Sequence, residues 1–230
     1  MRFDNHLSQI RLIAVWISLL LFTPIAWAQL SSTSIPEHVI RAARFDDIKG
    51  ITNYAEQQGD INLAEANRGE SLLMISVREN SNRVFAYLLQ NPKIQLDQRA
   101  KNGDTALMLA AYLEQKDKVQ QLIEAGAKVN QNGWTALHYA TVVGNLEIVT
   151  ILLERHADIN AETPNKTSPL MLAARRGEMS VVKLLIAGGA DITLKNMHGW
   201  TARDFALESE RRDIAALLQE LMQAKVEERK

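Results

Sequence analysis

Cysteine is absent from the 230 residues, which excludes a disulfide framework, a thiolate zinc site, an iron–sulfur cluster and a cysteine nucleophile together. Proline (5) and glycine (11) are too scarce for a low-complexity or collagen-like chain. No charge of either sign dominates. The 26 Lys+Arg against 27 Asp+Glu leave a formal −1, without the basic excess of a nucleic-acid-binding domain, so no nucleic acid is expected as a partner. Long apolar runs are equally rare, and one near the N-terminus stands alone. With 47% apolar and 23% charged residues, the rest has the composition of a globular, helix-compatible protein of one or two domains.

That single run has the layout of an export signal. Arg2 and Arg11 outweigh Asp4, and Leu12 to Phe22 then gives eleven residues with Ser18 as the one polar member. Thr23-Pro24 interrupts it, and Ala26-Trp27-Ala28 supplies the small side chains that signal peptidase requires. Leu12 to Ala28 is seventeen residues including a proline, short of the about 20 that span a bilayer as a helix. A cleaved signal over residues 1–28 and a periplasmic location are expected, with an inner-membrane anchor or secretion as the alternatives. No cysteine is available for a lipoprotein anchor. Cleavage would remove Arg2, Arg11 and Asp4, leaving 202 residues of net charge −2 and no membrane contact in the mature form. Export also agrees with the missing thiols, which mispair in an oxidising compartment.

Beyond Ala28 the chain repeats itself. E-S-L-L-M-I-S-V from Glu70, D-T-A-L-M-L-A-A from Asp104, W-T-A-L-H-Y-A-T from Trp134, T-S-P-L-M-L-A-A from Thr167 and W-T-A-R-D-F-A-L from Trp200 superimpose. Their hydroxyl residues Ser71, Thr105, Thr135, Ser168 and Thr201 lie 34, 30, 33 and 33 apart, and a degenerate sixth copy precedes them at Val39. Such a residue accepts an orphan amide of the first helical turn, and Pro169 falls just after its cap, where proline costs least. Small residues line the first helix of each copy: Ala42-Ala43, Ala110-Ala111, Ala140, Ala173-Ala174 and Ala206. Gly144 and Gly177 stand where a left-handed residue ends that helix, and Glu114 and Glu210 occupy the same place in other copies. A second helix follows in each, as in I-V-T-I-L-L (Ile148 to Leu153) and V-V-K-L-L-I (Val181 to Ile186), with apolar residues at helical spacing. One hairpin cannot bury such a stripe, whereas stacked neighbours can.

T-A-L-H-Y-A, S-P-L-M-L-A-A and V-V-K-L-L-I-A-G-G-A-D-I resemble ankyrin repeats over roughly 190 residues, with cap, alanine pair, leucine pair and G-A-D turn all recurring in register. The resemblance implies an all-α solenoid of stacked helix-turn-helix units with short β-like fingers, about six repeats. It implies protein binding on a concave side, no enzymatic activity and no cofactor. The expected organisation is a signal at 1–28, a degenerate N-terminal repeat or cap at 29–66, central repeats at 67–193, a C-terminal capping repeat at 194–222 and a flexible tail at 223–230. His156 replaces the usual turn glycine, and the finger around Val129 to Asn132 is trimmed by three residues.

Candidates for chemistry are few. His138 sits in T-A-L-H, where the family uses it, like Thr105, Thr135, Ser168 and Thr201, as part of the structural motif. The other histidines show no H-x-x-x-H or H-E-x-x-H spacing, so no metal is expected. No phosphate-cradling G-x-x-x-x-G-K-[ST] or G-x-G-x-x-G occurs. Asp60, Asp158 and Asp191 recur at one repeat position, as turn-formers do. By the resemblance, residues beside the cap and those after the alanine pair face the concave side. In the central copies these are Tyr112, Leu113, Trp134, Val142 and Val143, bordered by Arg175, Arg176 and Trp200; the last copy reads Leu207-Glu208. An exposed apolar patch with a charged rim marks a partner surface, and Trp, Tyr and Arg are favoured anchors. The expectation is a monomeric, non-catalytic module that docks another exported protein. An inhibitor or immunity-type partner of an exported toxin or hydrolase is the first alternative, and an enzyme with a site assembled across repeats the second.

Overall fold

The aligned hydroxyl residues set the first helix of each repeat. In the computed structural model, which describes residues 34–227, Ser71, Thr105, Thr135 and Ser168 each accept the backbone N–H three residues on, at 3.3, 3.3, 3.5 and 3.4 Å. At Thr201 the roles reverse: the Asp204 carboxylate accepts from both the Thr201 amide and its hydroxyl at 2.8 Å. Either arrangement satisfies an amide that the helix would leave unpaired.

Twelve helices form six pairs among the described residues. They are α1 (Glu37–Arg44) with α2 (Ile48–Glu56), α3 (Leu72–Arg78) with α4 (Asn82–Leu89), α5 (Ala106–Tyr112) with α6 (Lys116–Glu124), α7 (Ala136–Val143) with α8 (Leu146–Glu154), α9 (Pro169–Arg176) with α10 (Met179–Ala187), and α11 (Ala202–Glu208) with α12 (Arg212–Glu227). The first helices of successive pairs pack on one another in an inner row, α1 to α11, and the second helices form an outer row. Ala110, Ala140, Ala173 and Ala206 are fully enclosed where the inner helices meet, so close approach is set by a methyl group. Ser76 and Thr141 take alanine positions by donating their hydroxyls back to Leu73 and His138 carbonyls, both at 2.7 Å. One apolar core runs unbroken from Ile35 to Leu218, as a stack in which each unit covers its neighbour requires.

Gly144 and Gly177 end α7 and α9 at φ 81° and 91°. Asp46, Asn80, Glu114 and Glu210 make the same bend at φ 53°, 55°, 57° and 58° without glycine. The fingers hold no strand among the described residues, only an isolated antiparallel bridge between Ala64 and Ser71. They are tied by side chains instead. The side-chain oxygens of Asn62, Asp97, Asn130 and Asn160 accept the amides of Gln95, Lys128, Asp158 and Asp191 in the next repeat, at 2.7–2.8 Å. Asp60, Asp158 and Asp191 close their own turns by accepting the amide two residues on, as turn-formers.

At the C-terminus residues 223–227 continue α12; Leu221 and Met222 before them pack on the core, and Lys225 reaches Asp191 at 3.6 Å. The signal segment at 1–28 lies outside the described residues. No helix of the described residues is long and apolar enough to cross a membrane.

Candidate protein-binding groove

Residues one before and seven after each cap meet on one face of the inner helices. The first central repeat shows the geometry as an ion pair. Glu70, 5% exposed, receives Arg78 through Nε at 3.1 Å to both carboxylate oxygens and through Nη2. The hydrogen bonds that Arg78 donates to Glu70 hold its guanidinium charged by raising its pKa further.

In the next two repeats one of the two positions is aromatic, Tyr112 seven after Thr105 and Trp134 one before Thr135. Tyr112, 48% exposed, meets Tyr139 edge-on at 5.7 Å between centroids, and Tyr139 lies 5.4 Å from Trp134, itself 37% exposed. The Tyr139 hydroxyl donates to Asp104 at 2.5 Å. Burial, then that carboxylate, push its pKa up, so it stays a neutral donor. Trp134 also stacks obliquely on His138 at 5.5 Å. The result is a row of rings from Tyr112 to Trp134, one edge wet and the other seated on the core.

Farther along, the face hollows into two adjoining grooves. The larger, about 500 Å³, is lined by Val142, Leu172, Arg175, Arg176, Glu178 and Arg211. The smaller, about 340 Å³, runs between Trp134 and Trp200 over Phe205, with Leu172 and Arg175 shared between the two. Trp200 packs edge-on against Phe205 at 5.8 Å, and the Arg175 guanidinium lies 6.0 Å over the same ring.

The structure thus gathers Trp134, Val142, Arg175, Arg176 and Trp200 around α9, with Tyr112 joined to them through Tyr139. Leu113 is half-buried against the core, and Val143 is half-buried and lines neither groove. Counted from the cap, Glu208 stands where Arg175 does and lines the smaller groove, whereas Leu207 does not. Sequence reading missed Tyr139, Leu172 and Phe205. They sit four residues after the cap, a position held elsewhere by buried Ile75 and Leu109, so they read as core. Arg211 was missed because it belongs to the following repeat's outer helix region and reaches back over Gly177.

His138 does structural work. Its Nδ1 accepts the Thr135 amide at 3.1 Å, which leaves Nε2 as the donor to the Ala161 and Thr167 carbonyls of the next repeat, at 3.1 and 3.2 Å. Burial lowers its pKa to about 4. Both ring nitrogens are therefore committed to backbone. Among the described residues no cluster of three His, Asp or Glu side chains is placed to hold a metal ion.

Family models for ankyrin repeats match residues 39–132, 73–163 and 152–206, and the chain belongs to the ankyrin-repeat family. It is similar to neurogenic locus notch homolog protein 1 of Xenopus tropicalis, 33% identical over 135 residues that make up 57% of this chain and 5% of that protein. It is likewise 33% identical over 135 residues to the mouse nuclear factor NF-kappa-B p105 subunit, across 56% of this chain and 14% of that one. The chain therefore spans only a small part of these relatives. Among solved structures, it resembles a chain in the complex of a predatory endopeptidase from Bdellovibrio bacteriovorus with an immunity protein. That match has a TM-score of 0.70 and 28% identity, and it covers 80% of this chain and 98% of the other.

Proposed function

We propose that this protein is a non-catalytic ankyrin module, exported to the periplasm, that docks another exported protein on its concave inner-helix face. The observation that carries the reading is the row Tyr112–Tyr139–Trp134, which presents aromatic surface to solvent beside two open grooves. A solvated face without a partner gains nothing from exposed rings, whereas aromatic anchors beside arginines are what binding faces concentrate. The absence of catalysis is supported by the family, whose members are generally protein-interaction modules. Export rests on the signal-like segment at 1–28.

The test is a pull-down from the native envelope fraction with the tagged protein, read by mass spectrometry, beside a Tyr112→Ala, Trp134→Ala variant. A partner captured by the wild type and lost by the variant at unchanged helix content supports the reading. Retention by both moves the site off this face. N-terminal sequencing of the recovered protein should begin at Gln29, and an intact Met1 would contradict cleavage.

A second reading refines the first: the partner is an exported peptidase or similar hydrolase, and the module blocks it as an immunity protein. The likeness to a chain in an endopeptidase–immunity complex, nearly complete over that chain, favours it. Adding purified protein to the captured enzyme should then abolish turnover at a one-to-one ratio, and undiminished turnover would leave only the docking role.

A further inference from the structure

The larger groove beside α9 carries an excess of positive charge. Arg78 and Arg175 stand seven residues after their caps, in register with the residue that precedes each cap. For Arg78 that residue is Glu70, and the pair is closed by three nitrogen–oxygen contacts. For Arg175 it is Thr167, which offers no carboxylate. Among the described residues the Arg175 guanidinium lies over the Phe205 ring with no hydrogen bond or ion pair of its own. Arg176 has only Glu178 at 3.9 Å, the outer limit of an ion pair between two exposed side chains, and Arg211 lies over Gly177 without a carboxylate partner. The larger groove therefore sets three guanidiniums against one carboxylate, on a protein whose net charge is −1.

From this excess of three guanidiniums over one carboxylate we infer that the continuous trough over α9 seats an extended acidic segment of the protein partner. Carboxylates lie against Arg175, Arg176 and Arg211, and a flanking aromatic or leucine side chain enters the smaller groove between Trp134 and Trp200. The inference rests on the docking role proposed above and specifies what is docked. Guanidinium forks match carboxylate geometry and gain most where one wall is apolar, as Val142 and Leu172 make it here. A polyphosphate backbone fits less well, because Glu178 and Glu208 line the same trough and would repel a continuous run of negative charge.

The test selects linear 12-residue peptides from a random phage-displayed library on the full chain. Peptide affinities are then measured by fluorescence polarisation. Enriched peptides should carry Asp or Glu next to an aromatic residue or leucine. Arg175→Gln should weaken them about tenfold, as loss of a charge-assisted contact does, and replacing the peptide's acid by its amide should do the same. The two changes together should cost no more than either alone, since both remove one contact. All three arginines are exposed, so the Arg175→Gln, Arg176→Gln and Arg211→Gln variants should keep wild-type circular dichroism. Enrichment of acid-free peptides, acidic peptides indifferent to these arginines, or no enrichment at all would overturn the proposal. So would a labelled oligothymidylate that binds the trough more tightly than the peptides. Should the envelope partner still be captured through Tyr112 and Trp134 in any of those cases, docking stands and only the acidic segment falls; loss of both removes both.

Discussion

His138 is fully enclosed, and its ring closes the turn of its own repeat while reaching the finger of the next. Folding holds it neutral by lowering its pKa to about 4, whereas the unfolded chain takes up the proton near 6.5. Its contribution is therefore complete above pH 6.5, is lost as pH falls from there to about 4, and changes no further below. The loss amounts to roughly 3 kcal/mol over that window. Urea denaturation at steps of pH should show this slope in the wild type and a flatter one in His138→Gln. His156 carries the opposite kind of cost: an exposed, non-glycine residue at φ 61° in a turn where other repeats place glycine. His156→Gly should stabilise the protein by about 1 kcal/mol in the same assay, because the left-handed region penalises a β-carbon. The caps and His138 were readable from the sequence, since motif position defines their partners. Lys118 was not. Its ammonium is buried between the Asn80 and Asn82 side-chain oxygens at 2.5 and 2.6 Å, and burial lowers its pKa. Those partners are 36 and 38 residues away, a distance that local pattern does not encode.

At the scale of elements, the second helix of each repeat is held by its apolar stripe more than by capping. The N-cap residues of α4, α6 and α10 make no side-chain cap of their own, yet Val84, Val119 and Val182 are fully buried. In α8, Leu152 is equally enclosed, and Leu152→Ala should cost about 2–5 kcal/mol by opening a cavity that rigid neighbours cannot fill. A loss below about 1 kcal/mol in chemical denaturation would place Leu152 outside the core. The fingers show where sequence pattern stopped. The recurring Asn and Asp side chains were legible as turn chemistry, but not that four of them lace one repeat to the next. The extra turn of α12 was likewise hidden, because its anchor, Asp191, lies in the preceding finger.

For the molecule as a whole, contacts run between neighbouring pairs, so stability is a chain of local couplings. Damage in the middle should divide it. In Leu152→Ala, hydrogen exchange should accelerate most in α7 and α8, and in α6, α9 and α10 beside them, while α1 to α3 keep most of their protection. Equal acceleration everywhere would mean that the stack opens as one unit. The same linear construction explains the binding face: each repeat contributes one pair of positions, and neighbouring pairs combine into a surface that no single repeat contains.

The sequence by itself determined the repeat, its register, the two-helix unit and the caps, because each depends on residues within about one turn of one another or on a period of 30 to 34. It also placed Trp134, Arg175 and Trp200 on one face. Tertiary structure decided which of those positions stay open. Arg78 is closed by Glu70 while Arg175 is left without a carboxylate, and Tyr139 leaves the core row to bridge Tyr112 and Trp134. That choice turns on side chains from different repeats coming within a few ångströms, which only the stacking of neighbours brings about.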